Sequence, residues 1–333
     1  RMGVDENIVA LIPARGAGGK GRAEKTLLLG AHLDHLGYGE TSSRASGEQA
    51  NAIHNGADDN ASGTAMVLEL AEYLADLEAR EPGTLAYNVA VAFWSGEELG
   101  LIGSSDFAGS EAFEALDVAA YLNFDMVGML DGNSLILQGL GSSQGWRPIV
   151  ERKNFAAGFQ LSLSDDPYVP TDGMALYQAG VPILCFFTGL HDHYHMPTDD
   201  PGNLNYEGME RIANYALQIA LDLNSAEPIA YETVEMNASR AGSMRGFTVY
   251  LGTIPDYAAQ GKGVKLSGVR EGGPAEKAGL RGGDVIVSMA GKTLNDLYDY
   301  TYLLGDLTPG QAVEVVVERN GERVVLSMTP EAR

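Results

Sequence analysis

Over its first two-thirds the chain alternates between short, continuous apolar runs and longer segments with helical spacing. The runs "NIVALIP", "KTLLLGAH", "LAYNVAVAFWS", "AAYLNFDMVG" and "VPILCFFTG" are β-prone and apolar almost throughout. Strands show that pattern when helices cover both faces of their sheet. Between and after them, "GTAMVLELAEYLADLEA" and "NYEGMERIANYALQIALDLN" repeat apolar residues at helical spacing, the first opening after a capping region at Asn60–Ser62. Strands that alternate with helices predict an α/β domain with a mixed, largely parallel central sheet flanked by helices.

The pattern changes after about residue 225. "SAEPIAYETVEMNASRAGSMRG" is polar and without a period, and is expected to be a linker. Beyond it, short strand-like runs such as "GVKLSGV", "GDVIVSMAG" and "AVEVVVERNG" are divided by glycine turns, and Asn320-Gly321 is a hairpin signal. The expected organisation is a first domain over 1–225, a linker over 226–243 and a small β-rich domain over 244–333, with no internal repeat.

A formal net charge of -23 argues against a nucleic-acid or anionic-membrane partner, because both need a basic face. It suits cations. No apolar run approaches a membrane span. The chain opens "RMGVDEN", without a signal-peptide pattern, as expected of a processed or trimmed chain. The single cysteine, Cys185, lies in an apolar strand and is expected to pack in the core, so cysteine use does not decide the compartment.

Five stretches carry unusual charge: "GAHLDHLG" (His32, Asp34, His35), "NGADDNASG" (Asp58, Asp59), "WSGEELG" (Glu97, Glu98), "NFDMVG" (Asp125) and "HDHYHMPTDD" (His191, His193, His195). Four of them follow or end an expected strand, and the fifth precedes the first long helix. In open α/β sheets the ligand crevice lies outside the carboxyl ends of the strands, so these stretches are expected to converge. Converging carboxylates repel one another and resist ionisation. A divalent cation relieves that, and imidazole with carboxylate suits zinc. Taken singly, each stretch reads as a cap, a turn or a solvated face; the set reads as a metal site.

The ordered set "GAHLDHLG … NGADDNASG … SGEELGLIGS … NFDMVG … YHMPTDD" resembles the M28 family of co-catalytic zinc aminopeptidases. The resemblance implies a zinc-exopeptidase fold with two zinc ions per chain. It implies that His32 and Asp125 bind one zinc, Glu98 and His195 the other, and that Asp58 bridges both. It makes Glu97 the general base, Tyr194 a hydrogen-bond donor to the substrate carbonyl or oxyanion, and Asp34 the group that orients the His32 ring. Asp59 is then structural or supporting, and His191 and His193 are rim or core residues. Where the family commonly has Ser-Asp-His, this chain has Thr171-Asp172-Gly173. Independently of any family, neighbours in an extended segment point opposite ways, so Glu97 and Glu98 are expected to take different roles.

Other motifs fall away. Gly16, Gly18 and Gly21 match G-x-G-x-x-G, but a strand follows instead of the helix a dinucleotide site needs, so a hairpin loop is expected there. There is no G-x-S-x-G elbow and no H-E-x-x-H pair.

"REGGPAEKAGLRGGDVIVSMAGKTL" resembles a PDZ domain, which implies peptide binding by strand addition. Tyr250, Leu251, Gly252 and Thr253 match the loop that holds a peptide's terminal carboxylate. The alternative is a domain that shields or orients the cleft. The M28 resemblance implies a secreted or periplasmic metallo-aminopeptidase acting on peptides with a free N-terminus. The alternatives are another M28-type hydrolase (carboxypeptidase or dipeptidase) or an inactive peptide-binding adaptor.

Overall fold

The computed structural model describes residues 6–15, 23–39, 42–45, 47–49, 51–225, 227–235, 249–255, 262–270, 272–295 and 297–332. They form two compact units, 1–189 with 193–234, and 190–192 with 235–333. Of the stretch expected as a linker, 227–235 is described, and 226 and 236–243 lie outside the described residues; the described part through 234 belongs to the first unit, where the Glu232 N–H donates to the Ser142 carbonyl at 2.8 Å.

The first unit is built on seven strands: β1 (Ile8–Ile12), β2 (Thr26–His32), β3 (Asn88–Trp94), β4 (Val118–Phe124), β5 (Ser134–Gln138), β6 (Gln160–Leu163) and β7 (Ile183–Phe187). Their order is β1-β3-β2-β4-β7-β5-β6. The pairs β2–β3, β2–β4, β4–β7 and β5–β6 are parallel, while β1–β3 and β5–β7 are antiparallel. The sheet is therefore mixed and largely parallel, as the continuous apolar runs predict. The glycine-rich loop itself lies outside the described residues, but its flanking strands do not form the expected hairpin. β1 and β2 both pair with β3, one on each side.

The helices are α1 (Gly63–Arg80), α2 (Ile102–Ala108), α3 (Glu111–Leu116), α4 (Trp146–Ala157), α5 (Asp172–Gln178) and α6 (Tyr206–Ser225). Alternate strand residues serve opposite faces of the sheet. Leu27, Leu29, Val89, Val91, Leu122 and Phe124 pack with Val67 and Leu70 of α1, Trp146 of α4 and Ile212 and Ile219 of α6. Leu28, Ala90, Trp94 and Tyr121 pack the other way, with Phe107 of α2 and Leu176 of α5. Cys185 belongs to this second layer and is buried. At about 25 cal/mol per Å² of apolar surface removed from water, two such layers dominate the stability of the unit.

From β2 the chain runs through α1 to β3 on one side. It then returns through α2 and α3 to β4 on the other side of β2. That reversal opens a crevice at the carboxyl end of β2, where loops from both directions diverge.

The second unit holds β8 (Val249–Tyr250), β9 (Thr253–Pro255), β10 (Val264–Val269), α7 (Pro274–Lys277), β11 (Val285–Met289), β12 (Lys292–Thr293), α8 (Leu297–Asp306), β13 (Val313–Arg319), β14 (Glu322–Met328) and β15 (Glu331–Ala332). The order β14-β13-β11-β10-β9 is antiparallel throughout. Asn320 and Gly321 both take positive φ and close the β13–β14 hairpin, as their dipeptide predicts. Within this unit the loop from Tyr250 to Thr253 is pinned by its own carbonyls. Leu251 accepts from the Ala275 N–H at 2.8 Å and Gly252 from the Arg270 N–H at 2.7 Å.

Candidate metal centre

Four of the five charged stretches arrive at the crevice from strand ends. His32 is the last residue of β2, Glu97 and Glu98 follow β3, Asp125 follows β4, and His195 follows β7 by eight residues. The fifth is the irregular turn Ala57–Ser62 ahead of α1, where Asp59 and Asn60 leave helical geometry.

The two imidazoles are set in the same way. The His32 Nδ1 lies 3.0 Å from the Asp34 carbonyl oxygen, and the His195 Nδ1 lies 2.9 Å from that of Ser42. A carbonyl only accepts, so both rings carry N–H at Nδ1 and turn Nε2 into the crevice. The His32 Nε2 sits 3.2 Å from the Asp59 Oδ1 and 3.4 Å from the Asp125 Oδ1. The His195 Nε2 sits 3.3 Å from the Asp59 Oδ2 and 3.2 Å from the Glu98 Oε2. The Asp59 carboxylate thus lies between the two histidines with one oxygen toward each.

This corrects the expectation for Asp58. Its carboxylate is turned away from the histidines: Oδ1 accepts from the Gly128 N–H at 2.6 Å and from the Ser62 hydroxyl at 3.0 Å. Adjacent residues in the turn face opposite ways, and the backbone places the second aspartate, not the first, in the crevice. Asp199 fixes that choice. Its carboxylate accepts from the Asp58 N–H at 2.9 and 3.0 Å and from the Asp59 N–H at 3.0 Å. Asn60 ties the same turn to the end of β4. Its side chain donates to the Phe124 carbonyl and accepts from the N–H groups of Gly63 and Met126.

Asp34 orients the His32 ring as expected, and does so through its carbonyl oxygen, 3.0 Å from Nδ1, with its Oδ1 farther off at 3.9 Å. The carboxylate instead accepts from the backbone N–H of Glu97 at 3.1 Å and of Glu98 at 3.4 Å. Those glutamates occupy a turn opened by Gly96 at φ 69, so a turn and not strand alternation separates their directions. Tyr194 lays its ring over the His195 imidazole, with centroids 3.8 Å apart and planes 24° apart. His193 bonds Thr198 through Nδ1 at 2.9 Å.

The electrostatics report crowded acid. Burial alone would lower the pKa of both histidines, but the carboxylates around them prevail and raise both well above the usual value. Asp59 is held well below the carboxylate range; burial opposes this, and hydrogen bonds from His195 and His32 outweigh it. Glu98 is lowered in the same way, chiefly by His195 against burial. Glu97 is raised well above the usual range by burial, with Glu98, Asp125 and Asp172 adding to it against His32. Asp125 is raised by burial, and burial pushes Asp172 up to about 7.

The donors fit a metal. His32, Asp59 and Asp125 bring three ligand atoms within 4.8 Å of one another, and so do His35, Asp59 and Glu98. Three oxygen or nitrogen donors with room for a water is a donor set that zinc accepts. His35, Asp172 and Asp199 were not assigned from sequence. His35 and Asp199 lie inside stretches already marked by charge, but no periodicity singles them out.

The family model described as "Peptidase family M28" matches residues 7–220, and the model described as "PDZ domain" matches 233–329. Leucine aminopeptidase 1 of Coccidioides posadasii is 32% identical over 38% of this chain and 29% of its own length. A probable lipoprotein aminopeptidase of Mycobacterium tuberculosis is 28% identical over 69% of this chain and 46% of its own length. The chain spans less than half the length of either. Among solved structures, a zinc aminopeptidase of Bacillus subtilis superposes with a TM-score of 0.52 at 21% identity, covering 68% of this chain and 52% of that one. That likeness concerns the fold.

Proposed function

The chain belongs to peptidase family M28, and we propose that it is a two-zinc aminopeptidase whose central ligand is Asp59. The observation that carries this reading is the Asp59 carboxylate, which offers one oxygen to the His32–Asp125 side and the other to the His195–Glu98 side. His32 and Asp125 would hold one zinc, His195 and Glu98 the other, with Asp59 shared. Zinc ions held there would supply Lewis acidity, lowering the pKa of water toward neutrality and withdrawing charge from the scissile carbonyl.

Glu97 is the general base. Burial among other carboxylates raises its proton affinity, which suits a group that must accept a proton from water and return it to the leaving amine. Asp34 fixes the backbone of both glutamates, so Glu97 and Glu98 keep separate directions. Tyr194, stacked on His195, donates to the substrate carbonyl as negative charge develops. Acidic side chains around the crevice would recognise the α-ammonium of a peptide.

We assign to the second unit, over about 244–333 and after a linker at 226–243, the docking of peptide tails, with the Tyr250–Thr253 loop receiving the terminal carboxylate. The proposed location is outside the cytoplasm, a reading supported by a relative named as a lipoprotein aminopeptidase. Among the described residues no helix is long and apolar enough to cross a membrane.

The test is hydrolysis of a panel of aminoacyl-p-nitroanilides by the protein as purified, after chelation and after zinc return. Zinc-dependent release of p-nitroaniline is the expected result. Two bound zincs without release from any member of the panel would turn the reading toward another exopeptidase, and no bound metal would end it.

A further inference from the structure

His35 lies beside the proposed second zinc position; its donor atom is within ligand reach of Asp59 and Glu98, but the two-zinc assignment gives that place to His195 and leaves His35 without a role. Its Nδ1 is 2.9 Å from the Glu98 Oε1, and its side chain is 9% exposed. The Glu98 Oε2 faces His195, so the two oxygens of one carboxylate meet two different imidazoles. The His35 ring is wedged against the backbone that leads to Asp59. A Cβ at Gly56 would come within 2.6 Å of the His35 Cγ and 2.7 Å of its Cδ2, and Gly56 takes φ +60 one residue before the Ala57–Ser62 turn. The His35 Nε2 is buried with no partner among the described residues. The ring is therefore held by its Nδ1 bond and by packing.

We propose that His35 is a positioning residue for Glu98. Its Nδ1–H holds Oε1, so that Glu98 offers a metal only Oε2 and meets it beside His195 and Asp59. A carboxylate with both oxygens free can bind through either or both and can swing between them. Fixing one oxygen selects a single mode. The Gly56 contact adds a second effect: the same ring packs against the turn that carries Asp59, so His35 keeps Glu98 and Asp59 in step.

The inference rests on Glu98 being a ligand, and cobalt(II) substitution tests the two claims separately. Cobalt absorbs more strongly in the visible when fewer ligands surround it. The comparison is wild type, His35→Asn and His35→Val, with cobalt stoichiometry, affinity and visible spectrum as readouts and circular dichroism as the check of folding. An Asn amide can place an N–H close to the Nδ1 position. The expected result is that His35→Asn keeps the wild-type spectrum and stoichiometry. His35→Val should bind the second cobalt about 10–100-fold more weakly, with weaker visible absorption. If His35→Val does not fold, His35→Gln, whose amide lies one methylene too far out, replaces it with the same expectation. A second cobalt unchanged in affinity and spectrum in His35→Val overturns the proposal. So does its loss in His35→Asn, which would make His35 itself a ligand. A wild type that takes no second cobalt overturns the two-metal reading beneath it.

Discussion

Asp58 and Asp59 are adjacent, identical in chemistry and both buried, yet they hold opposite duties. Asp58 holds the turn together through Gly128 and Ser62, and Asp59 faces the histidines. Two substitutions separate them. Asp58→Ala should leave the Gly128 N–H without its acceptor and cost about 1–3 kcal/mol in urea unfolding while the folded protein keeps its zinc. Asp59→Asn should fold and lose both zincs, measured by metal analysis after dialysis. The reverse pattern would restore Asp58 as the shared ligand. For Glu97, conversion to Gln should lower kcat by about 10²–10⁴-fold with zinc content unchanged. A fall in zinc content instead would make Glu97 a ligand. At this scale the motifs disclosed which residue types gather, but not which of two neighbours faces inward. That choice depends on N–H groups bonded to Asp199, 140 and 141 positions away in sequence.

At the scale of elements, the apolar runs marked every strand end that bears a proposed ligand, because burial on both faces leaves a chemical trace in composition. Strand order left none. The glycine-rich loop reads as a hairpin because two apolar runs flank it, but β3 comes between them in the sheet. Helix α1 shows what such neighbours demand. Gly63 opens it directly against the end of β4, and a Cβ there would lie 2.3 Å from the Phe124 carbonyl oxygen and 2.5 Å from the Asn60 Oδ1. Gly63→Ala should therefore destabilise the unit by about 1–3 kcal/mol and, by moving the end of β4 and Asp125, weaken zinc binding as well. Urea unfolding with and without zinc measures both effects. A loss of stability with zinc affinity intact would show that α1 packs there without aligning the ligands.

For the whole molecule, every proposed ligand lies in the first unit, so zinc should raise the melting of that unit. pH should modulate the effect. In the chelated protein, the raised histidines stabilise the fold fully below their unfolded value of about 6.5, and that contribution is lost as pH rises through their folded values. The raised carboxyls of Glu97, Asp125 and Asp172 follow the same sign from lower pH, with Asp172 losing its contribution up to about 7. The lowered Asp59 and Glu98 act oppositely, and their contribution is lost only on acidification. Zinc needs neutral imidazoles and ionised carboxylates. The zinc-induced rise in Tm should therefore grow from about pH 6 to about pH 8, as read by calorimetry; a constant or shrinking rise would contradict the coupling. Local chemistry along the chain was enough to establish an α/β unit followed by a β-rich one, a cluster of acid and imidazole at strand ends, and the family that clusters them in this order. Those properties follow from composition and spacing, which act over a few residues. Which aspartate faces both histidines, the partner of the Asp34 side chain and the place of His35 were decided by packing alone. Each depends on hydrogen bonds and close contacts between segments far apart in the chain, where spacing carries no information about direction.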